Sequence, residues 1–133
     1  MSASKVFYSL LSGNAPTTGV VGAKIFPQQA PQKTTFPFIV ITQVSNIPVN
    51  TKSGVSSMDT MRVQVTMIHN SQALLDTLGG YVRTALDFVN NQTIEGVKVQ
   101  YITYQGEADA FDEGAGQDGQ FLKYQDYLLT ISR

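Results

Sequence analysis

The chain has 133 residues, a formal net charge of −1 and no cysteine; 42% of its residues are apolar and only 14% are charged. This length and apolar content suit one folded domain, residues 1–133, around a single core. The sequence excludes disulfides and cysteine chemistry. Because its basic residues are scattered singly, it predicts no phosphate-binding patch for nucleic acid.

The low charge content bears on partners. Uncharged polar residues, mainly Thr, Ser, Gln and Asn, take the place of the missing charges, and such a surface needs few ions to be desolvated on association. No apolar run approaches membrane-spanning length, and the N-terminus lacks the layout of a signal peptide. We therefore expect a protein without a membrane partner that is made in the cytoplasm and used or assembled there.

The first third of the chain is the least regular. Residues 2–4 can cap a short helix over residues 5–12, which Gly13 would end. A turn is expected next, and residues 20–26 are ambiguous between a helical turn and a short strand because Gly22 weakens both. The proline-containing residues 27–35 predict a surface connector.

From residue 38 the pattern becomes β. Residues 38–44 predict a strand, with Pro48 either ending its pairing or placing it on an edge. Residues 50–59 have no apolar periodicity and predict a mobile hairpin loop. Residues 60–69 alternate strictly, which predicts a strand whose sheet is covered on one face. The positions assigned to that covered face are Met61, Val63, Val65 and Met67.

A long amphipathic helix follows, capped by Asn70 or Ser71. Its apolar residues recur at helical spacing: Leu75, Leu78, Val82, Leu86 and Val89. The Gly79–Gly80 pair in its middle costs about 1 kcal/mol per glycine relative to alanine. A pair placed there indicates either a close approach to the helix backbone or a slight kink.

Two further strands, residues 97–104 and 121–131, flank a glycine-rich acidic loop at 112–119. The predicted fold is therefore α+β: a mainly antiparallel four-stranded sheet made of two β-hairpins, with the long helix on one face and a short N-terminal helix. The opposite face would be open to solvent or covered by a neighbouring subunit. The residues expected on that face are Ile68, Ile102, Tyr104 and Tyr127.

Candidate catalytic residues do not form a pattern. His69 is the only histidine, and its neighbours fit a helix start better than a nucleophile site. The acidic residues of 107–118 lack the ligand spacing of an EF-hand, and Gly114–Gly116 lacks the Gly-Lys-Ser/Thr of a phosphate loop. The tyrosines, without a basic groove, are better explained as core or interface residues than as base-stacking platforms. The sequence thus predicts no enzyme, no cofactor and no metal.

In order and spacing, these segments resemble the tail-completion, or tail-terminator, proteins of long-tailed bacteriophages, the family of the lambda tail terminator. The resemblance covers nearly the whole chain and depends on structural segments rather than on a catalytic signature. Those segments are residues 6–11, 21–27, 37–40, 62–65, 82–87, and the closing hairpin from 96–100 through 124–128.

The resemblance implies a non-enzymatic virion protein that assembles in the host cytoplasm into a ring, expected to contain six copies. The ring would cap the head-proximal end of the tail tube, end tube growth and present the surface for head attachment. Its partners would be its own copies, the tail-tube protein and a head-completion or connector protein, while DNA would pass through the lumen without specific binding. The hairpin loops would make these contacts, through Lys52, Ser53, Gly54 and Asp59 in one loop and Glu113, Gln117 and Asp118 in the other.

Other classes stay open at this point. Another head–tail connector or a tail-tube subunit would share the fold, but a tube subunit would polymerise alone. A non-viral small-ligand-binding α+β domain would be a monomer or dimer with a closed apolar pocket. An enzyme would need perturbed pKa values at His69 or in the acidic loop.

Overall fold

The computed structural model describes residues 3–28, 37–51, 54–87, 89–112 and 120–132. Three helices and six strands lie in these ranges. In chain order they are α1 (Ala3–Ser12), α2 (Ala15–Val21), β1 (Ile25–Pro27), β2 (Phe38–Thr51), β3 (Gly54–His69), α3 (Gln72–Leu86), β4 (Asn90–Ile94), β5 (Val97–Asp112) and β6 (Gln120–Ser132).

All six strands form one mixed sheet in the order β1-β2-β3-β6-β5-β4. β1 pairs parallel to β2, and the other neighbours are antiparallel. The α+β class is confirmed, but the predicted four-stranded sheet with only one long and one short helix is wrong. β1 and β4 are too short, and β4 too polar, for an alternating pattern to be recognised in the sequence.

The additional helix α2 occupies the stretch predicted to be a turn. Asn14 is its N-cap: its side-chain Oδ1 accepts a hydrogen bond from the backbone N–H of Thr17 at 3.0 Å. Pro16 lies in the first helical turn, where a missing N–H costs nothing. The Asn-x-Pro sequence is therefore a helix start, although its residues are equally frequent in turns.

The hairpin loop predicted at 50–59 is also wrong. β2 runs to Thr51 and β3 begins at Gly54, and these two residues are paired with each other. The polar residues of this stretch form strand because β2 and β3 pair with each other here, and from Met58 onward β3 also pairs with β6. Pairing with a neighbouring strand thus overrides weak local β propensity.

One face of the sheet is covered by α1 and α3. The predicted apolar residues of α3 up to Leu86 are buried, as are the predicted positions of β3, and the Phe7 ring of α1 packs edge-on against Tyr127 with centroids 5.8 Å apart. Side chains of α1, α3 and the sheet form one continuous core. We call this covered side the helix face, and the other side of the sheet the open face.

Of the four residues predicted on the open face, only Ile68 lies there, paired with Leu122 and Phe38. Ile102 and Tyr104 face the helices because a register shift between Val99 and Tyr101 reverses the alternation of β5. Tyr127 was predicted on the open face, but it lies on the helix face of β6, where it is fully buried in the core. A bulge cannot be seen in an alternating sequence, so this reversal was not predictable.

Candidate assembly surfaces

The most concentrated group of charges lies where α3 crosses the β5–β6 hairpin. The ammonium of Lys123 in β6 is 2.8 Å from Asp109 Oδ1, 3.2 Å from Glu107 Oε2 and 3.1 Å from Asp76 Oδ1. Glu107 and Asp109 come from β5, whereas Asp76 comes from α3. We call these four residues the Lys123 cluster. It joins helix, strand and hairpin at one point.

The four side chains differ in exposure, which governs their electrostatics. Lys123 is only 3% exposed, whereas its three carboxylate partners are partly in solvent. Burial alone lowers the pKa of Lys123, but hydrogen bonds to Asp109, Asp76 and Glu107 raise it by more, so the pKa lies above its ordinary value. The lysine is therefore charged throughout the physiological pH range.

A buried hydrogen-bond chain continues from the Lys123 cluster into the core. Gln125, in β6, donates from Nε2 to the carbonyl oxygen of Gly79 at 3.0 Å and to Glu107 Oε1 at 3.1 Å. The Tyr127 hydroxyl donates to Gln125 Oε1 at 2.7 Å. Each contact satisfies a polar group that burial would otherwise penalise. This chain attaches α3 to the sheet by direct hydrogen bonds as well as by apolar packing.

The Lys123 cluster lines an open cleft of about 420 Å³ that Arg83 also lines. The Arg83 guanidinium lies 3.9 Å from the centroid of the Tyr104 ring and 3.3 Å from Asp87 Oδ2. No nucleophile–base pair lines this cleft in the described part of the chain. The Lys123 ammonium already occupies the place between the carboxylates that a cation would take. Chemically, the arrangement can hold the hairpin in position.

His69 lies apart from this cleft, at the entrance to α3. Its Nδ1 is 2.8 Å from the Asn70 backbone nitrogen, which donates to it, and 2.8 Å from Asn70 Oδ1. Ser71 is the N-cap, with its Oγ accepting from the backbone N–H of Leu74. This geometry agrees with the prediction that His69 belongs to a helix start. Among the described residues, no group of His, Cys, Asp or Glu has a metal-binding arrangement.

The open face carries a row of apolar and uncharged side chains. At the end of the sheet where β2 begins, its positions pair across four strands in level rows. One row is Phe38, Ile68, Leu122 and Ala110; the next is Val40, Thr66, Tyr124 and Ala108. Ile68 is 4% exposed although it lies outside the core cluster. No helix or strand of the described ranges covers this face.

The two outer edges of the sheet are only partly paired. β1 covers β2 at Ile39–Ile41, and β4 covers β5 as far as Tyr101. Beyond these points, residues 42–51 of β2 and 103–112 of β5 have a strand on one side only, within the described part of the chain. We call these segments the β2 edge and the β5 edge. Unpaired strand edges are the usual templates for pairing with another chain.

The predicted contact residues fall at different places. Lys52, Ser53, Glu113, Gln117 and Asp118 lie outside the described residues. Gly54 begins β3, beside the connection from β2. Asp59 is 7% exposed and pairs with Pro48 on β2 and Ile131 on β6, so it lies within the sheet and not in a loop.

Sequence reasoning missed the Lys123 cluster. Glu107 and Asp109 were noticed only as candidate loop ligands, and Lys123 as one of several scattered basic residues. The available signal was the alternation of Lys123, Gln125 and Tyr127 with the intervening residues of β6, which puts three polar groups on one side of a strand. Their partner Gly79 was noticed, but only the structure shows what approaches it.

The fold is that of an α+β domain with helices on one face of the sheet, two partly unpaired edges and the Lys123 cluster where α3 crosses the β5–β6 hairpin. The family model described as "Tail completion protein gp17" matches residues 5–123. The chain belongs to this tail completion family, and it is a structural tail protein.

A solved structure shares the fold of this chain. A chain of the virion of a native gene transfer agent particle superposes with a TM-score of 0.82 at 10% identity, covering 99% of this chain and 96% of the other. At that identity the likeness concerns the fold alone. No curated protein matches the sequence. In the described ranges, every helix is too short or too polar to cross a membrane.

Proposed function

We propose that this protein is a single tail-terminator domain that forms a ring, of six copies, on the head-proximal end of a tail tube. The ring ends tube growth and carries the surface to which the filled head attaches. This makes it a virion component that assembles in the host cytoplasm and acts without catalysis. The family membership supports a role in tail completion, and the likeness to a virion chain supports a place in a particle.

The observation that carries the proposal is the placement of the two hairpin ends. Thr51 pairs with Gly54 at one end of the sheet, and Asp112 pairs with Gln120 at the other. Because β3 and β6 pair antiparallel from Met58–Ser132 to His69–Phe121, these two residue pairs lie at opposite ends of the sheet. A ring of such subunits presents one set of hairpins to the tube and the other set to the head connector.

The residues of the two connections are the contacts in this proposal. Lys52, Ser53 and Gly54 serve one partner, with Asp59 supporting their hairpin from within the sheet. Glu113, Gln117 and Asp118 serve the other. The open face turns toward the channel, where its described side chains include few charges. Such a lining has little attraction for phosphates and lets DNA pass without specific binding.

The test combines light scattering on a sizing column with electron microscopy, with and without tail tubes of the particle that encodes the chain. We expect a discrete ring of six, free or on one end of each tube, and no longer polymer. Unlimited growth in the absence of tubes would indicate a tube subunit. A dimer that persists on dilution and ignores tubes would indicate a small-ligand domain, and either result would overturn the proposal.

A matched pair of variants tests the two ends separately. Lys52→Glu and Glu113→Lys each reverse one charge, at opposite hairpins. One variant should lose tube capping while the other caps tubes but fails to join heads. Lys5→Glu, exposed on α1, is the control and should retain both activities. Loss of the same activity in both hairpin variants would contradict the assignment of the two ends to two partners.

A further inference from the structure

The two partly unpaired edges of the sheet have complementary shapes. On one side of the subunit, β1 pairs with Ile39–Ile41 near the start of β2 and leaves the β2 edge without a second neighbour in the described part of the chain. On the other side, β4 pairs with the first part of β5, as far as Tyr101, and leaves the β5 edge without a second neighbour in the described part of the chain. Each margin is thus a step, and the two steps face in opposite directions.

We infer that the β5 edge of one subunit pairs antiparallel with the β2 edge of the next, so that one sheet continues around the ring. The inference rests on the proposed ring and names the surfaces that close it. In such a ring each margin fills the recess in the other: β4 of one copy lies beyond the end of the neighbouring β2, and the neighbouring β1 lies beyond the end of β5. The occupant of each edge is a second copy of this chain.

Strand direction agrees with this pairing. β5 is antiparallel to β6, β6 to β3, and β3 to β2. β2 and β5 therefore run in opposite directions within a subunit. Placing copies side by side about a common axis brings β5 next to an oppositely directed β2, which is an antiparallel contact. The contact is head-to-tail, as closed rings require.

The pleat restricts the register of this contact. Glu107 is level with Gln125 and Val65, which are helix-face positions. Pro48 is level with Asp59, which is also a helix-face position. Paired residues of neighbouring strands must share a face. A register that sets Glu107 opposite Pro48 of the next copy meets this condition.

That register fits both free edges. Counting along each strand, through the bulge between Gln43 and Ser45 of β2, then sets Asp112 opposite Thr42, the first residue of the β2 edge. The same register sets Ala110 opposite Ser45, and both residues lie on the open face. The free part of β5 is thus matched by the free part of β2 over nearly its whole length.

The same register gives a tilt that closed sheets adopt. Val65 and Asp59 are six residues apart on β3, an offset of roughly 20 Å at 3.3 Å per residue. The strands β2, β3, β6 and β5 together with the new contact span four strand spacings, roughly 19 Å. A ring without rise then needs strands tilted by about 45°, within the range of closed barrels. Six copies would enclose a wall roughly 50 Å across, which admits a DNA duplex.

Charge disfavours a two-fold pairing of two β5 edges. β2 contains no charged residue between Phe38 and Thr51, whereas β5 carries Glu107, Asp109 and Asp112. Two β5 edges paired with each other would bring these acids close together, which destabilises a sheet. The bulges in both strands and Pro48, which has no N–H to donate, interrupt the new ladder. A single contact between two copies is therefore weak. Closing the ring adds one more such contact without adding a subunit, so the closed ring is favoured over an open chain.

Disulfide trapping tests the pairing directly, because the natural chain has no cysteine. The Ser45→Cys/Ala110→Cys double variant should form intersubunit disulfides on tube-capping rings under mild oxidation, up to a covalent hexamer. Within one chain these residues lie on different edges and cannot bond. The Ala110→Cys single variant and the Thr66→Cys/Ala110→Cys pair, whose Thr66 lies on central β3, should stay uncross-linked.

Each alternative outcome has a distinct meaning. Rings that cap tubes without the predicted disulfide would overturn the edge pairing and leave the proposed function standing. Disulfide-linked Ala110→Cys dimers would overturn it in favour of two-fold pairing. Cross-linked open chains that never close would keep the pairing and overturn the ring. No ring and no cross-link, even with tubes, would overturn both.

Hydrogen exchange of the unmodified protein gives a second readout that needs no variant. On ring formation, amide protection should rise in residues 42–51 and 103–112, because outward-facing N–H groups of both edges gain partners. Residues 59–68 of the central strand β3 are already paired on both sides and should change little. Protection that rises only elsewhere would overturn the pairing.

Discussion

Gly79 lies so close to Lys123 that a Cβ on residue 79 would come within 2.7 Å of the lysine Cδ and 3.1 Å of its Cε. The helix therefore rests on the stem of a buried side chain. That side chain is held at its other end by three carboxylates, so it cannot move aside cheaply. The glycine is a condition for the Lys123 cluster.

The neighbouring glycine provides a matched comparison. A Cβ at Gly80 would meet nothing within 4 Å. Gly80→Ala should therefore raise the free energy of unfolding by about 0.4–1 kcal/mol through helix propensity, while Gly79→Ala should lower it by about 1–3 kcal/mol through overpacking. Denaturant unfolding measures both. Equal stability of the two variants would contradict the close contact seen at Gly79.

Removal of the lysine charge should expose the carboxylates to one another. Lys123→Met keeps most of the apolar stem but leaves Asp76, Glu107 and Asp109 without their shared cation, so we expect a clear loss of stability by thermal unfolding. Millimolar Ca²⁺, which prefers carboxylate oxygens, should restore part of that loss. The natural protein, and a Lys98→Met control at an exposed position, should show no such response to Ca²⁺. A Lys123→Met variant insensitive to Ca²⁺ would contradict this account.

The acid limb of stability should depend on Glu107. Burial by itself raises the pKa of Glu107, but hydrogen bonds from Gln125 and Lys123 lower it by a larger amount. The pKa therefore lies below its ordinary value. The unfolded chain then takes up its proton first, at about pH 4.3, and stability falls as the pH drops from there through the folded pKa. Asp76 acts in the same direction, mainly through its hydrogen bond with Lys123.

Unfolding measured between pH 2.5 and 7 checks this dependence. Glu107→Gln should flatten the decline below pH 4.3, because one of the linked protons is removed. Glu95→Gln, exposed in the turn between β4 and β5, should leave the profile unchanged. Identical profiles for the natural protein and the Glu107→Gln variant would show that the carboxyl contributes nothing to acid stability.

The hydrogen bond of the buried Tyr127 hydroxyl should stabilise the folded protein. Tyr127→Phe removes the donor 2.7 Å from Gln125 Oε1, and Gln125 is only 1% exposed. Leaving that oxygen without this donor should cost about 1–2 kcal/mol of unfolding free energy. Tyr101→Phe is the control because Tyr101 is about half exposed, and it should change stability little. A neutral Tyr127→Phe variant would mean that water replaces the lost donor.

The amino-acid sequence by itself determined the class of the fold and its strongest elements. The 3.6-residue period from Leu75 to Leu86 gave α3, and the two-residue period from Met61 to Met67 gave β3 with its covered face. These patterns can be read locally because one element buries one face. The order of the segments also gave the tail-completion family, which the comparisons confirm.

Tertiary structure alone decided which side of β5 faces the core, where the sheet ends, and what Lys123 does. A one-residue bulge turned Ile102 and Tyr104 inward, and the pairing of β2 with β3 made strand of a predicted loop. Lys123 meets Asp76 across a long stretch of sequence, and no local pattern encodes that distance. Bulges, edges and ion clusters depend on which strands become neighbours, so they exist only once the chain has closed its long-range contacts.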